Sequence, residues 1–481
     1  MQFPQSPFYS QSNDKLTKET VIYLTLVIRG RLDPDVLHRK ALELVAHWPI
    51  LGGSLDLKSS PYSISKGSEC DFRVRELRAS TLSKYSSFLG NMIKTRDMVR
   101  SGTKPWAPDT TSDSSLDDIA HFNSISRAAS PPTSIFTLRV TILDDATIFG
   151  FRVPHYVTDG TGLYEIVKAY SNIVAGNSVQ KLIPPPDINV PISQCIRNDG
   201  DQNIIFSELL SQDVSICKAD EIHTRGIWPA IKQAVNILIH NYASFLQGMS
   251  FSNGYVYLPR EFISELHNQC QKEVSVVNRS SSDGEIILSK LDVLVAWFLK
   301  VSYKHMPPES DEGPFDLIHM MSYRFCTQIP GDGSEDSNSM TYLRNSHAAM
   351  CLRWSSFRKF QAMKLAQVAL AVRALVNYNK SESSVKSFLK FYEVHVDATL
   401  SYGPKGARVG YLPVVTSWTT FPYFELDFSS ALEKKEPYSD VGHDTMGKVV
   451  FVDPQIQSGF GIQIRPIIIV TKDSHQGISA E

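Results

Sequence analysis

The chain has 481 residues, 42% of them hydrophobic and 20% charged, and its 48 basic residues offset 50 acidic ones to leave a formal net charge of -2. The composition is globular, and the length exceeds what one ordinary core organises, so two domains of roughly 200 to 250 residues with a cleft between them are expected. A near-neutral balance argues against a nucleic-acid-binding face, which needs a basic patch. A small-molecule partner is the expectation.

The first residues, MQFPQSPFYSQSNDKLTKE, lack the charged start and apolar stretch of a secretory signal, so a cytoplasmic chain is expected. The longest apolar blocks, such as LDVLVAWFL at 291–299, fall short of the roughly 20 residues that span a bilayer. Cys70, Cys195, Cys217, Cys270, Cys326 and Cys351 are scattered without a CxxC pair or the spacing of a zinc site. No metal is therefore expected. The Asn-x-Ser sequons at Asn278 and Asn379 carry little weight without a secretory signal.

VIYLTLVIRG (21–30) is rich in β-branched and aromatic residues and predicts a strand. A helix follows in LDPDVLHRKALELVAHWP, with Asp33 as N-cap and Pro34 as first helical residue. The Ser, Thr and Asp content of 101–118 predicts a surface loop. IFTLRVTILDDATIFGFRVPHYV reads as a hairpin turning at Asp144 and Asp145, and GLYEIVKAYSNIVAG has helical spacing. Three successive prolines in GNSVQKLIPPPDINVPISQ favour an extended linker. The expected division is an N-terminal domain over 1–185, a linker over 186–215 and a C-terminal domain over 216–481. IWPAIKQAVNILIHNYASFL, SKLDVLVAWFLKVSY and region 355–392 predict helices. GARVGYLPVVTSW, PYFELDF, GKVVFVD and IRPIIIVT predict successive strands toward the end. No internal repeat is visible.

HYVTDG, residues 155–160, stands where a predicted strand ends and a predicted helix begins. A strand end is a common place to present a catalytic side chain. Histidine suits proton removal from an alcohol or amine because its ordinary pKa, near 6.5, lies close to working pH. Asp159 can curl back to orient the loop, and Gly160 permits backbone torsions or close approaches that a side chain forbids. With 13 histidines in the chain, HxxxDG is expected by chance about 0.05 times at average Asp and Gly usage. The bland alternative is a structural histidine at a turn. A metal site is disfavoured, since HxxxD supplies two ligands at most and no third is recognisable.

Strand, HYVTDG and helix together resemble the active-site motif of the BAHD acyltransferases, the CoA-dependent O- and N-acyltransferases. The likeness extends in family order over nearly the whole chain. LDPDVLHRKALELVAHWPILGGSL resembles the family's first helix and following turn, ILSKLDVLVAWFLK its helix after the linker, and VTSWTTFPYFELDF the lead into its DFGWG motif. The resemblance implies a mixed α/β, two-domain chloramphenicol acetyltransferase-like fold with flanking helices and a channel between domains. It implies that His155 is the general base and that Asp159 is mainly structural. The acceptor oxygen would attack the thioester directly in a ternary complex, without an acyl-enzyme, since no nucleophile motif such as GxSxG is present. Thr416 and Trp418 match the segment credited with oxyanion support, their hydroxyl and indole N–H both being donors; core roles for both are the alternative.

DFGWG reads DFSSA here, keeping Asp427 and Phe428 but losing both glycines and the tryptophan. In the family that aspartate pairs with an arginine on a neighbouring strand. Arg324 is the matching position, so an Asp427–Arg324 pair is expected. TYLRN (341–345) departs from a pattern that often has Gly before the Asn. Such divergence resembles fungal members, which include trichothecene O-acetyltransferases. By that likeness the expected co-substrate is acetyl-CoA or another acyl-CoA, the acceptor is a hydroxylated terpenoid or polyketide, and the protein is a monomer. Lys405 and Arg408, in GPKGARVG, are candidates for the CoA phosphates, with solvated loop charges as the alternative. Condensation domains share the fold and an HHxxxDG motif, but Pro154 stands in the place of their first histidine. Carnitine and choline acyltransferases, usually longer, rank behind them. A non-catalytic relative that binds acyl thioesters, and a thioester hydrolase, are the remaining readings.

Overall fold

The computed structural model describes residues 8–9, 20–56, 63–65, 67–99, 102–107, 133–183, 210–225, 254–278, 286–306, 313–324, 340–395, 400–402, 404–408, 411–433, 445–458, 467–472 and 478–480, with Trp228, Ile231, Val235 and Ile239 between them. In chain order its main elements are β1 (Thr20–Arg29), α1 (Pro34–His47), β2 (Asp71–Glu76), α2 (Ser87–Val99), β3 (Thr137–Ile142), β4 (Ala146–Pro154), α3 (Gly160–Val174) and β5 (Val214–Cys217). There follow β6 (Val256–Leu258), α4 (Arg260–Asn278), α5 (Lys290–Ser302), β7 (Phe315–Ser322), β8 (His347–Trp354), α6 (Leu365–Asn379) and α7 (Glu382–His395). The last are β9 (Val414–Ser417), β10 (Val449–Ser458), β11 (Ile467–Lys472) and β12 (Ile478–Ala480).

Among the described residues, one sheet runs β10-β1-β4-β3-β2 and a larger one runs β5-β8-β7-β9-β11-β12-β6. The three central strands of the first, β1, β4 and β3, are buried on both faces. Leu24, Leu26 and Ile28 of β1, Leu138 and Val140 of β3, and Phe149, Phe151 and Val153 of β4 share one apolar cluster with Leu37, Ala41 and Leu44 of α1 and Leu163, Ile166, Val167 and Tyr170 of α3. The spacing of those α3 residues is that of one helix face. The opposite face contributes Val27, Ile148 and Phe451 to a smaller cluster with Phe88, Leu89 and Met92 of α2.

In the larger sheet, Leu317, Leu352, Val415 and Val470 pack against Val293, Leu294 and Leu299 of α5 and Val368, Val372 and Leu375 of α6. Their strand neighbours Ile318, Ala349, Cys351 and Ile469 belong instead to the cluster that contains α1 and α3. The second face of this sheet is thus joined to the N-terminal half by continuous apolar packing. β10, from far along the chain, is the edge strand of the first sheet, antiparallel to β1 from Val449↔Ile28 to Ser458↔Thr20.

The cap of α1 follows the sequence, and α5 adds one that was not expected. Asp33 accepts from the backbone N–H groups of Asp35 and Val36 at 2.9 and 3.2 Å, and Pro34 opens α1. Ser289 and Asp292 form a capping box at the start of α5, and Asp292 also accepts from Nε of Arg373 at 2.7 Å, which ties α5 to α6. Two expectations are corrected. Region 355–392 is not one helix but three, Phe357–Ala362 preceding α6 and α7, because the chain becomes extended at Met363 and turns again at Lys380. PYFELDF forms no strand: Tyr423–Glu425 is a 3-10 turn, and Asp427 makes only an isolated bridge to Lys448. Tyr423, Leu426 and Phe428 are all buried, a spacing that a turn satisfies and alternation does not.

Of the loop expected over 101–118, the described part is irregular, with Trp106 bridged to Tyr257; 108–118 lie outside the described residues, as does 186–209 of the expected linker. Within the helix expected over 227–246, the four described residues Trp228, Ile231, Val235 and Ile239 are helical and exposed. No helix among the described residues is long and apolar enough to cross a membrane.

Candidate active site

β4 delivers His155 to the point where the sheet ends. The His155 N–H still donates to the carbonyl of Thr20, at 2.9 Å, as a last rung of the ladder with β1, and the chain then turns through Tyr156–Thr158 into α3. Asp159 is the N-cap of that helix, its Oδ1 accepting from the Gly162 N–H at 3.0 Å. This is the ordinary way in which a short acidic side chain satisfies a helix start.

The same carboxylate is held from the other side of the molecule. Arg324, two residues past the end of β7, donates through Nη1 to Oδ2 and through Nη2 to Oδ1, both at 2.8 Å, and the Ser346 N–H donates to Oδ2 at 2.9 Å. Arg324 also donates to the carbonyl of Arg344 at 2.8 Å. Such a two-pronged guanidinium fixes geometry as well as charge. Asp159 is 5% exposed. Burial alone would raise its carboxyl pKa, but the Arg324 guanidinium, together with the donors around it, holds it well below the usual carboxylate range.

The segment before β8 completes the clamp. Asn345 donates through Nδ2 to the carbonyl of His155 at 2.9 Å, and Thr158 donates its hydroxyl to the carbonyl of Leu343. His347 opens β8 with its ring centroid 5.1 Å from that of His155, the planes tilted by 51°, and its Nδ1 lies 3.9 Å from Oδ2 of Asp159. His155 is buried, and that burial, reinforced by the neighbouring His347, pushes its pKa down to about 4. A neutral imidazole is therefore present at pH 7, able to accept a proton. Asn345, Ser346 and His347 carried no signal of their own in the sequence: they lie almost 190 residues from the motif, and only the fold brings them to it.

Of the other expected residues, Trp418 is brought to the motif. A methyl group built on Gly160 would lie 2.9 Å from Cζ2 and 3.0 Å from Cε2 of the Trp418 indole, so glycine here permits the close approach of a ring. Thr416 stands opposite Ile469 on β9. It thereby shares the face of the larger sheet that packs toward the N-terminal half, the face on which His347, Ala349 and Cys351 alternate.

The expected Asp427–Arg324 pair is corrected. Arg324 is committed to Asp159, whereas Asp427 accepts from Nζ of Lys448 at 2.6 Å and from the Ser429 N–H at 2.8 Å, with its side chain 39% exposed. The reason is local. Asp427 lies in the bridge to Lys448, and its backbone N–H donates to Ser171 of α3 at 3.0 Å, which anchors the DFSSA turn beside α3. Phe428 is buried there against Phe149, with centroids 5.0 Å apart.

Lys405 and Arg408 lie away from the motif. Arg408 donates to the carbonyls of Gly313 and Pro314 at 3.2 and 3.1 Å, and its guanidinium carbon sits 3.8 Å from the Tyr411 ring centroid. Those carbonyls precede the first residue of β7, and Arg324 follows its last, so the eight residues of the strand separate the two sites by about 25 Å at ~3.3 Å per residue. Lys405 is exposed, and its carbonyl accepts from Arg353 at 3.0 Å. No group of three or more His, Cys, Asp or Glu among the described residues is arranged to hold a metal ion.

No family model matches the chain. It is 29% identical over 458 residues to acetyltransferase peniE of Penicillium patulum, a match that spans 92% of this chain and 89% of that protein. Its fold is similar to that of F. graminearum TRI101 complexed with coenzyme A and T-2 mycotoxin, with a TM-score of 0.58 at 11% identity over 99% of this chain and 94% of that one. Vinorine synthase is similar too, with a TM-score of 0.56 at 11% identity over 100% of this chain and 91% of that one. These likenesses bear out the mixed α/β, two-domain chloramphenicol acetyltransferase-like fold and the resemblance to BAHD-like fungal acetyltransferases read from the sequence.

Proposed function

We propose that the chain is a CoA-dependent O-acyltransferase that moves an acetyl group from acetyl-CoA to a hydroxyl of a small secondary metabolite, a terpenoid or polyketide. The observation that carries this reading is the buried, neutral His155 at the end of β4, on a loop that Arg324, Asn345 and Ser346 hold in place. In this reading His155 accepts the proton of the acceptor hydroxyl while its oxygen attacks the thioester carbonyl, in one complex of both substrates. Asp159 takes no proton. Its charge is spent on the N-cap of α3 and on Arg324, and its work is to fix the loop. Trp418, beside Gly160, is the candidate donor to the oxyanion, with Thr416 on the same strand run as a second. Lys405 is proposed for the CoA phosphates; Arg408, already engaged by two carbonyls and a ring, ties loops together.

The name of the relative peniE as an acetyltransferase, and the coenzyme A bound in the TRI101 complex, support acyl-CoA as the donor. The domain division at residues 185 and 216, with β10 returning from the C-terminal part to the first sheet, belongs to this proposal, as does a monomeric state.

The test is CoA release, read with a thiol reagent, from acetyl-CoA and longer acyl-CoAs over a panel of hydroxylated terpenoids and polyketides, with mass analysis of products. Wild-type turnover is expected to give an acylated product, and His155→Ala is expected to lose about 10²- to 10⁴-fold in kcat, the usual contribution of a general base. A His155→Ala protein that turns over like wild type removes His155 from the mechanism. CoA release with free acid and no acylated product replaces transfer by hydrolysis.

A further inference from the structure

The histidine at position 347 has no part in the mechanism just described, yet it is the side chain that stands between the base and the ion pair. Its ring packs on that of His155 at 5.1 Å between centroids. Its Nδ1 faces Oδ2 of Asp159 at 3.9 Å, and its side chain is only 13% exposed. The backbone on either side is restrained. Ser346 donates to Asp159, and Asn345 to the carbonyl of His155, so His347 cannot drift from either group without breaking the clamp.

We propose that His347 is a positioning residue for His155, fixing the plane of its imidazole by ring contact and coupling it, across a second imidazole, to the Asp159–Arg324 ion pair. The inference rests on the reading of His155 as general base. The charged and titratable groups shown beside the two rings are Asp159 from the motif loop and, paired with that carboxylate, Arg324 from beyond the end of β7, whose guanidinium lies near the Tyr342 ring. Two imidazoles in contact disfavour a second positive charge, so His347 adds to burial in keeping His155 unprotonated. Removing His347 relieves that repulsion, and the proton affinity of His155 rises.

The experiment follows the His155 ring by NMR titration, alongside the pH profile of kcat/KM, in wild type, His347→Gln and His347→Phe. The Gln variant is uncharged and polar; the Phe variant keeps the ring packing and secures the fold if Gln does not. In both, the His155 midpoint is expected to rise from about 4 by about one pH unit. The acid limb of kcat/KM, which requires the neutral base, is expected to move up with it. The Phe variant is expected to retain more of the plateau kcat than the Gln variant, because it keeps the ring contact. A His155 midpoint and acid limb that stay in place in both variants overturn the proposal, whatever happens to the plateau. The titration needs no turnover, so the two readings fail separately: a shifted midpoint in a protein whose activity survives His155→Ala keeps the His347 contact and discards the base.

Discussion

At the scale of single residues, the decisive fact is which carboxylate Arg324 holds. The sequence reading gives it to Asp427, but the structure gives it to Asp159, buried, while Asp427 takes Lys448 at a half-exposed position. Removing one partner of a buried pair strands the other and costs about 3 to 5 kcal/mol, whereas an exposed pair contributes about 1 kcal/mol or less. Arg324→Met should therefore destabilise the fold strongly in chemical denaturation, and Asp427→Asn only slightly. A double-mutant cycle is expected to show coupling between Arg324 and Asp159 and none between Arg324 and Asp427; the opposite pattern returns Arg324 to the DFSSA turn. Gly160 offers a second test. Because a methyl group there meets the Trp418 ring at 2.9 Å, Gly160→Ala should shift the tryptophan fluorescence and lower activity, although alanine is the better helix former. Unchanged emission and activity would mean that the indole yields freely.

At the scale of elements, legibility depended on whether a segment's own pattern fixes its partner. β1, α1, the β3–β4 hairpin, α3 and α5 were legible because each carries a β-branched apolar run or a helical spacing of its own, sharpened by Asp33 and Pro34 at α1 and by the Asp144–Asp145 turn; the caps Asp159 and Ser289 are findings of the structure. The capping box predicts that Ser289→Ala costs about 1 kcal/mol, measurable as a lower denaturant midpoint with an unchanged slope. PYFELDF misled because an aromatic-rich run suggests a strand, and nothing within it says that Tyr423, Leu426 and Phe428 all find one core. His155 and Asp159 were legible as a pair, since both stand within six consecutive residues. The Asn345–Ser346–His347 side of the site was not. A residue that acts by donating a backbone N–H, or by lying against a ring, has no compositional signature, and its partner is chosen by β8 docking beside the motif.

Across the whole molecule, acid sensitivity should reflect its buried histidines. His155 is joined by His319 on β7, which burial likewise pushes down to about 4, and neither of whose ring nitrogens has a hydrogen-bond partner among the described residues. For a base whose folded pKa lies below its unfolded value of 6.5, the unfolded chain binds the proton first. Stability is then complete above about pH 6.5 and declines as pH falls toward 4, by on the order of 3 kcal/mol for each histidine. Thermal unfolding between pH 7 and 4.5 should show that slope, and His319→Leu should flatten it. A slope that the leucine variant leaves intact would assign it to other groups.

The strand exchange that seats β10 against β1 has a consequence in time. β1 receives its second neighbour only when residues 449–458 exist, roughly 300 residues after β4 is complete, or about 15 to 60 s later at ribosomal speeds of about 5 to 20 residues per second. Through that interval a ten-residue strand, TVIYLTLVIR, carries one unpaired edge, the kind of surface that recruits foreign strands. A nascent chain stalled before residue 449 should thus be a chaperone client. Supplying β10 as a separate peptide should release it.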